Sequence, residues 1–197
     1  SDLSTTADAL RDLSRSLESV DAVVSNAGAG HFGGLEQFSP AQIQKSIDLN
    51  LTSHLLVVRA FLPKLKQNES GDVVLMGSES SLRAGPKGTV YCAAKFGLNG
   101  ITQSLAKELG PKNIRVNAVC PVYVETPGLL EALDNPVAPP KGELNARYLK
   151  EFASSNAALL RLPKGSEIAD LCFYLSSTKA SAITGQCINV DCGVLPQ

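Results

Sequence analysis

The sequence of 197 residues contains no tryptophan, a single methionine and only 5% aromatic residues. So few aromatic rings leave little surface on which nucleic-acid bases could stack. Neither sign of charge is in excess, because 18 Lys and Arg residues are balanced by 19 Asp and Glu residues. A protein that binds nucleic acid or an anionic membrane surface carries a basic excess. We therefore expect neither kind of partner.

Long apolar runs and clustered cysteines are also missing. No run approaches the roughly 18 residues that a membrane span needs, and no signal-peptide pattern opens the chain. The five cysteines stand singly without a CxxC pair, and the two histidines, His31 and His54, lie far apart. This pattern argues against a disulfide framework and a zinc site. It favours small buried thiols in a soluble, cytoplasmic protein.

The length fits one domain over residues 1–197. Short apolar runs alternate with longer amphipathic ones, which predicts a doubly wound α/β fold with a parallel sheet covered on both faces. The predicted strands are Ala22–Ser25, Val73–Met76, Ile114–Val119 and Cys187–Val190. Four helices are predicted. The first is capped by Ser4 and ends near Leu17, and the second runs from Ser39 to about residue 67 with a bend or break near Pro63. The third runs from about Tyr91 to Leu109, and the fourth is capped by Ser166. Residues 126–160 contain four prolines (127, 136, 139 and 140) and no clean period before Tyr148–Leu160, so we expect a mobile excursion there.

The first chemical signal is the pair Tyr91 and Lys95, which are neighbours on one helix face because they are four positions apart. The pair alone is weak, since a solvated pair on a helix looks the same. Three further polar residues strengthen this signal. Asn26 and Ser78 each follow a predicted strand, where a doubly wound sheet binds its ligands. Asn50 lies inside a predicted helix, where Asn is unfavourable and needs a reason beyond packing.

In this order the residues resemble the classical short-chain dehydrogenases/reductases over essentially the whole chain. Asn50, Ser78, Tyr91 and Lys95 match the catalytic tetrad of that family. Three other segments match. Ser25–Gly28 resembles the NNAG motif with Ser for the first Asn, and Pro121–Thr126 is similar to PGxxxT. Ile183–Gln186 together with Asn189–Gly193 resembles ITGQ…VDGG.

The resemblance implies a Rossmann-type oxidoreductase that transfers a hydride between NAD or NADP and a small-molecule alcohol/carbonyl substrate. Tyr91 is then the general acid and base, and Lys95 favours the ionised phenol and holds the nicotinamide ribose. Ser78 binds the substrate oxygen, and Asn50 holds a water that relays protons. The expected cofactor-binding residues are Asp2, Leu3, Asn26, Ala27, Gly28, Tyr91, Lys95, Pro121, Val124 and Thr126. Residues 126–160 occupy the place of the substrate lid.

The resemblance also implies a homodimer or homotetramer that pairs through the helices of Asn50 and Tyr91. The apolar residues expected at that interface are Leu55, Leu56, Val57, Val58, Phe61, Ala93, Ala94, Leu98, Ile101 and Leu105. The loop charges Glu79, Arg83 and Lys87 could contact substrate, although such charges are usually only solvated.

Departures from the family pattern keep a second interpretation open. Val122 and Cys192 stand where the family has glycines, so the fit of a cofactor beside Val122 is in question. The strand and TGxxxGxG turn that open the family are absent, so N-terminal strands are expected to be missing. The literal GxGxxG at Gly28–Gly33 is not followed at once by a helix, and we do not interpret it as the pyrophosphate site. The alternative is a non-catalytic nucleotide-sensing or interaction protein on the same fold.

The missing first strands also have a consequence for the strand Ala22–Ser25, which becomes an edge with no Pro or Lys to protect it. We therefore expect that a preceding segment belongs to the native protein. Without it, the 197 residues should aggregate and should not bind NAD(P) measurably.

Overall fold

The computed structural model describes residues 2–135, 138 and 145–196. Four parallel strands form one sheet in the order β1 to β4. These are β1 (Ala22–Ser25), β2 (Gly71–Met76), β3 (Ile114–Pro121) and β4 (Cys187–Val190). All four predicted strands are therefore present, with β2 starting earlier and β3 ending later than the apolar runs alone indicate.

Helices cover both faces of this sheet, as the alternating pattern predicts. They are α1 (Leu3–Ser16), α2 (Pro40–Ile47), α3 (Ser53–Leu65), α4 (Thr89–Leu109), α5 (Pro127–Leu133), α6 (Asn145–Asn156) and α7 (Gly165–Leu175). Val73 and Leu75 of β2 face a core formed with α3 and α4, whereas Val74 faces α7. This alternation follows from the two-residue period of a strand. The α/β class is confirmed, with α1 packed on α3.

The predicted helix from Ser39 to about residue 67 is wrong in its interior. It is divided at a π-helical turn, Asp48–Thr52, and α3 then continues through Pro63 to Leu65. Pro63 lies in the last turn and does not break the helix. A π turn inserts an extra residue into a helix, usually at a functional site, and here that turn carries Asn50 at its centre.

Two predicted caps, Ser4 and Ser166, are also wrong. Asp2 caps α1, because its carboxylate accepts hydrogen bonds from the main-chain and side-chain donors of Ser4. Ser166 lies within the first turn of α7, where the Glu167 carboxylate instead accepts from the Lys164 amide at 2.8 Å. Carboxylates are favoured at helix N-termini because of the helix dipole.

The expected excursion over residues 126–160 contains two helices among its described residues. These are α5, which the sequence did not predict, and α6, which starts at Asn145 rather than at Tyr148. Residues 136, 137 and 139–144 lie outside the described residues.

Buried polar side chains attach β4 to the rest of the sheet. Arg115 donates hydrogen bonds to the Ala180 carbonyl at 2.5 Å and the Ser177 carbonyl at 3.0 Å. Asn117 donates to the Ile183 carbonyl and accepts from the Gln186 amide at 3.1 Å. The Arg-Val-Asn segment therefore holds the turn from which β4 starts.

The outer edge of β1 is unpaired within the described sheet, since β1 pairs only with β2. Val24 is 49% exposed, whereas its register partner Val74 is buried. The aggregation expected from this edge stays a prediction.

Among the described residues, no helix combines the length and hydropathy needed to cross a bilayer.

Gly193, which follows β4, gives a test of the packing. Its φ is 80°, and a Cβ there would stand 2.6 Å from the Ala158 Cβ. We expect Gly193→Ala to lower the free energy of unfolding by about 2–4 kcal/mol, because left-handed strain and a steric clash add. Gly100→Ala in α4 meets no atom within 4 Å and should raise stability by up to about 1 kcal/mol. Urea unfolding measures both, and equal effects would contradict the packing described.

Candidate functional site

A cleft of about 590 Å³ opens at the carboxyl ends of β1, β2 and β3. Each of these strands leads directly into residues of its wall. The cleft is lined by most of the residues expected from the sequence: Asn26, Gly28, Ser78, Tyr91, Lys95, Pro121, Val124 and Thr126. Asp2, Leu3, Ala27 and Asn50 do not line it.

Ser78 and Tyr91 bring two hydroxyl groups together in this cleft. Ser78 caps the short 3₁₀ turn Glu79–Ser81, and its Oγ accepts a hydrogen bond from the Ser80 amide at 3.1 Å. Tyr91, near the start of α4, forms a side-chain hydrogen bond with Ser78. Ser78 therefore caps the 3₁₀ turn and contacts Tyr91 at the same time.

The pKa of Tyr91 is shifted in the direction opposite to the one expected from Lys95. Burial raises the pKa of the phenol, and the hydrogen bond with Ser78 lowers it by less. Lys95 Nζ stands 5.8 Å from the centre of the Tyr91 ring and donates instead to the Met76 carbonyl at 2.8 Å. In this geometry Tyr91 is a protonated phenol, which suits a proton donor.

Lys95 is itself an unusual group, since its side chain is almost fully buried. Burial lowers the pKa of Lys95 from 10.5 to about 8, because a charge is costly to remove from water. An ammonium has three donors. The hydrogen bond to Met76 uses one of them.

Asn50 fastens the loop after β1. Its Nδ2 donates to the carbonyls of Ala29 and Ser46, both at 3.0 Å, and its Oδ1 accepts from the Ala29 amide at 3.0 Å. The side chain is fully buried. This pairing explains why the helix widens at Asn50, and it supplies the reason beyond packing that the sequence called for.

Gly28 occupies the space between Asn50 and Lys95. A Cβ at this position would lie 3.0 Å from Asn50 Oδ1 and 3.4 Å from Lys95 Nζ. A glycine here therefore keeps a gap between the amide and the ammonium. The remaining glycines up to Gly33 run through a loop, and the next α-helix begins at Pro40, so this GxGxxG opens no helix.

His54 is a buried histidine to which the sequence pattern assigned no role in the site. Its Nδ1 lies 2.7 Å from Ser25 Oγ, and both residues are buried. Burial, with a smaller contribution from the Lys95 ammonium, lowers the pKa of His54 from 6.5 to about 4, so the imidazole is neutral at pH 7. The four-residue spacing from Asn50 to His54 was a signal that both side chains face the same way.

The substitutions of family glycines have separate structural consequences. Val122 lines the cleft, but its side chain is buried in a small apolar cluster with Ala157 and Val194. Cys192 adopts a left-handed φ of 55°, a conformation that glycine adopts without strain.

The segment expected to form a lid contributes α5 to the cleft wall, whereas α6 packs behind the wall residue Tyr123. Gly128, Leu129 and Ala132 of α5 line the cleft. Tyr123, at the cleft wall, packs edge-to-face with Phe152 of α6 at a ring separation of 4.9 Å and with Tyr148 at 6.1 Å.

Comparison with known proteins agrees with this fold and cleft. A family profile described as enoyl-(acyl carrier protein) reductase matches residues 1–195. The protein named dehydrogenase/reductase SDR family member 6 from Rattus norvegicus is 33% identical over 181 residues, which are 90% of this chain and 70% of that protein.

Solved structures give the same answer. Carveol dehydrogenase from Mycobacterium avium, in complex with NAD, superposes with a TM-score of 0.84 at 29% identity, covering 98% of this chain and 72% of that one. A protein described as an NAD(P)-dependent gluconate 5-dehydrogenase from Beutenbergia cavernae, with bound NADP, gives a TM-score of 0.87 at 25% identity, covering 98% and 73%. Fold and cleft are those of an α/β oxidoreductase. The chain belongs to the short-chain dehydrogenase/reductase family, as the resemblance of its motifs implied.

The buried charge of Lys95 should reduce stability. A pKa lowered from 10.5 to about 8 corresponds to about 3 kcal/mol at pH 7. Replacing Lys95 also leaves the Met76 carbonyl without its donor, at a cost of about 1–2 kcal/mol. We therefore expect Lys95→Met to raise the free energy of unfolding by about 1–2 kcal/mol at pH 7.

The pH dependence separates this effect from ordinary packing. Below pH 8 both folded and unfolded states are charged, and the full cost applies. Between pH 8 and 10.5 the folded state loses its proton first, so the advantage of Lys95→Met should shrink and then vanish. Denaturant unfolding at pH 7 and 10.5 measures this, with the exposed Lys107→Met as control. A pH-independent gain would contradict the assignment.

Proposed function

We propose that the chain transfers a hydride between NAD(P)(H) and an alcohol/carbonyl substrate, with Tyr91 as general acid in reduction and general base in oxidation. The observation that carries the proposal is the pairing of the Ser78 and Tyr91 hydroxyls in one cleft, with the buried Lys95 ammonium beside them. The relatives with bound NAD and NADP support this cofactor class and leave both cofactors open.

The residues present fit the nicotinamide half of such a cofactor. The gap kept by Gly28 lies beside Lys95, which has further donors for ribose hydroxyls. Asn26, Pro121, Val124 and Thr126 line the same cleft. When bound, the nicotinamide supplies or accepts the hydride.

For the adenine end of the cofactor, the candidate binding residues come from the family resemblance. Asp2 and Leu3 are candidates from the resemblance alone, and Ala27 is a further candidate of the same kind. The Asp2 carboxylate already accepts hydrogen bonds from Ser4 and Thr5.

Proton handling follows from the hydrogen bonds of the two hydroxyls. Ser78 Oγ accepts from the Ser80 amide, so its own proton can be donated to a substrate oxygen. Burial raises the pKa of Tyr91, so the phenol reaches the substrate protonated and can donate in the reductive direction. Two donors directed at one oxygen stabilise the negative charge that develops there.

Asn50 acts as a positioning residue for this arrangement. Its side chain is committed to Ala29 and Ser46, and it keeps the loop of Gly28 against Lys95. The relay of protons through a water near Asn50 belongs to the proposal on the strength of the family resemblance.

A small-molecule substrate would enter between the Ser78 turn, Tyr123 and α5, which supports a lid role for the described parts of residues 126–160.

The five cysteines form no disulfide, which supports a reducing, cytoplasmic location.

Tyr91→Phe tests the central assignment. The ring and its packing remain and only the proton is lost, so kcat should fall by about 10²–10⁴ with cofactor affinity within about threefold. Tyr174→Phe removes a hydroxyl from the surface of α7 and serves as the matched control. The measurement, made on the native full-length protein, is NAD(P)H oxidation with a panel of ketones, together with NAD(P)H fluorescence titration.

Near-normal kcat in Tyr91→Phe would show that another group moves the proton. The alternative, a non-catalytic nucleotide-sensing protein, predicts that NAD(P)H binds without being oxidised by any ketone. The two assays together therefore separate the two functions.

A homodimer or homotetramer is proposed through the outer faces of α3 and α4. Several residues expected at this interface are instead part of the core: Val58, Phe61, Ala94 and Leu98 are buried against the sheet. Leu55 and Phe96 are 42% and 43% exposed and provide apolar surface for a partner copy.

Sedimentation velocity tests this interface. We expect a dimer or tetramer at micromolar concentration, and we expect Leu55→Lys combined with Phe96→Lys to give monomer, because a charge is costly to bury in an apolar interface. Leu35→Lys, in an exposed turn distant from both helices in sequence, should leave assembly unchanged. A monomer from the unsubstituted protein would count against the proposal.

A further inference from the structure

A charged pair borders the reacting end of the cleft. Glu79 follows Ser78 directly, and its side chain is 17% exposed. Glu79 Oε1 accepts from Arg83 Nη2 at 2.5 Å, and the Arg83 side chain is 51% exposed. Both residues line the cleft. The sequence suggested solvated loop charges, whereas the structure places a mostly shielded carboxylate in the cleft wall, on the residue that follows Ser78.

The backbone around Glu79 is fixed. The Ser78 amide donates to Ser81 Oγ at 3.0 Å, and the Arg83 amide donates to the Glu79 carbonyl at 3.0 Å. Ser78 is the residue proposed to bind the substrate oxygen. Because Ser78 and Glu79 line the same cleft, a substrate group attached near the reacting carbon can approach the Glu79 carboxylate.

The two oxygens of the Glu79 carboxylate differ in their partners. Oε1 is bound by Arg83, while Oε2 accepts no hydrogen bond from any described residue. An ionised carboxylate is acceptor-only. A donor on the substrate is the complementary group.

We propose that Glu79 is a specificity-determining residue whose carboxylate accepts a hydrogen bond from a substrate hydroxyl near the reacting carbon. The site then takes neutral hydroxylated ketones and alcohols, such as hydroxyketones and polyols, in preference to substrates with a carboxylate at that place. This inference rests on the proposed function. Arg83 binds Oε1 and so fixes the orientation of the carboxylate.

Two physical effects produce this selectivity. A substrate with only apolar atoms at this place removes water from Glu79 and returns no donor, which a site built for hydrogen bonding rejects strongly. A substrate carboxylate meets a like charge at short range in a partly desolvated cleft. A hydroxyl meets neither penalty.

Three ketones form a matched series for the test. 4-Hydroxybutan-2-one, pentan-2-one and acetoacetate share the CH₃–CO–CH₂ unit and end in hydroxymethyl, ethyl and carboxylate groups. The readout is kcat/KM for NAD(P)H oxidation by the native full-length protein. The variants are Glu79→Gln, which removes the charge, Glu79→Leu, which removes the acceptor, and Glu108→Gln, an exposed control on α4.

We expect the unsubstituted protein to prefer 4-hydroxybutan-2-one to acetoacetate by at least about tenfold. Glu79→Gln should lower that ratio about tenfold or more, and Glu79→Leu should lower the preference of hydroxymethyl over ethyl by a similar factor. Glu108→Gln should change neither ratio. Because each ratio is measured within one protein sample, partial unfolding of a variant does not affect it.

The failures of the two proposals are distinguishable. Turnover of the ketones with ratios that the Glu79 variants leave unchanged, or with acetoacetate as the preferred substrate, overturns the role of Glu79 and leaves the hydride-transfer function intact. Absence of turnover for these three ketones alone, with turnover of others in the panel, overturns the role of Glu79. Absence of turnover for every ketone of the panel, while NAD(P)H binds, overturns the proposed function and the role of Glu79 with it.

Discussion

The hydrogen bonds between the Asn50 side chain and the Ala29 main chain fix the loop that carries one wall of the cleft. They hold the loop after β1 against the junction of α2 and α3, and the π turn at that junction gives the amide its direction. Gly28 is then placed beside Lys95 of α4. Removing a single buried amide would leave unpaired polar groups in the loop and the helix together, each costing about 1–3 kcal/mol.

The same region concentrates groups whose charge states are set by burial. Lys95 is a buried ammonium with a lowered pKa, and His54 is a neutral imidazole whose pKa is lowered by burial and by Lys95. Burial is the main reason that His54 is neutral, and the Lys95 ammonium adds to the effect because a second positive charge beside it would be costly. Perturbed groups of this kind gather at functional sites, and the stability they cost is offset by the apolar packing of β2 and β3.

Much of this architecture could be predicted because it depends on local pattern. The strands are apolar runs, and Ser78, Tyr91 and Lys95 lie at strand ends and helix spacings that the sequence displays directly. The π turn could not be predicted, because one extra residue barely disturbs the three- and four-residue spacing of the helix from Ser39. The pKa of Tyr91 was expected in the wrong direction, since it depends on burial by segments distant in sequence rather than on Lys95 alone.

The cleft divides into two parts with different physical support. Asn50, Lys95 and Gly28 are held by buried hydrogen bonds and close packing, so their geometry admits few substitutions. Glu79, Tyr123 and α5 form the opposite wall from a short turn, a cluster of three aromatic rings and a seven-residue helix. Changes there replace partly exposed contacts and leave the sheet intact. A carboxylate in that second wall is therefore free to determine which molecule is accepted without determining whether the chain folds.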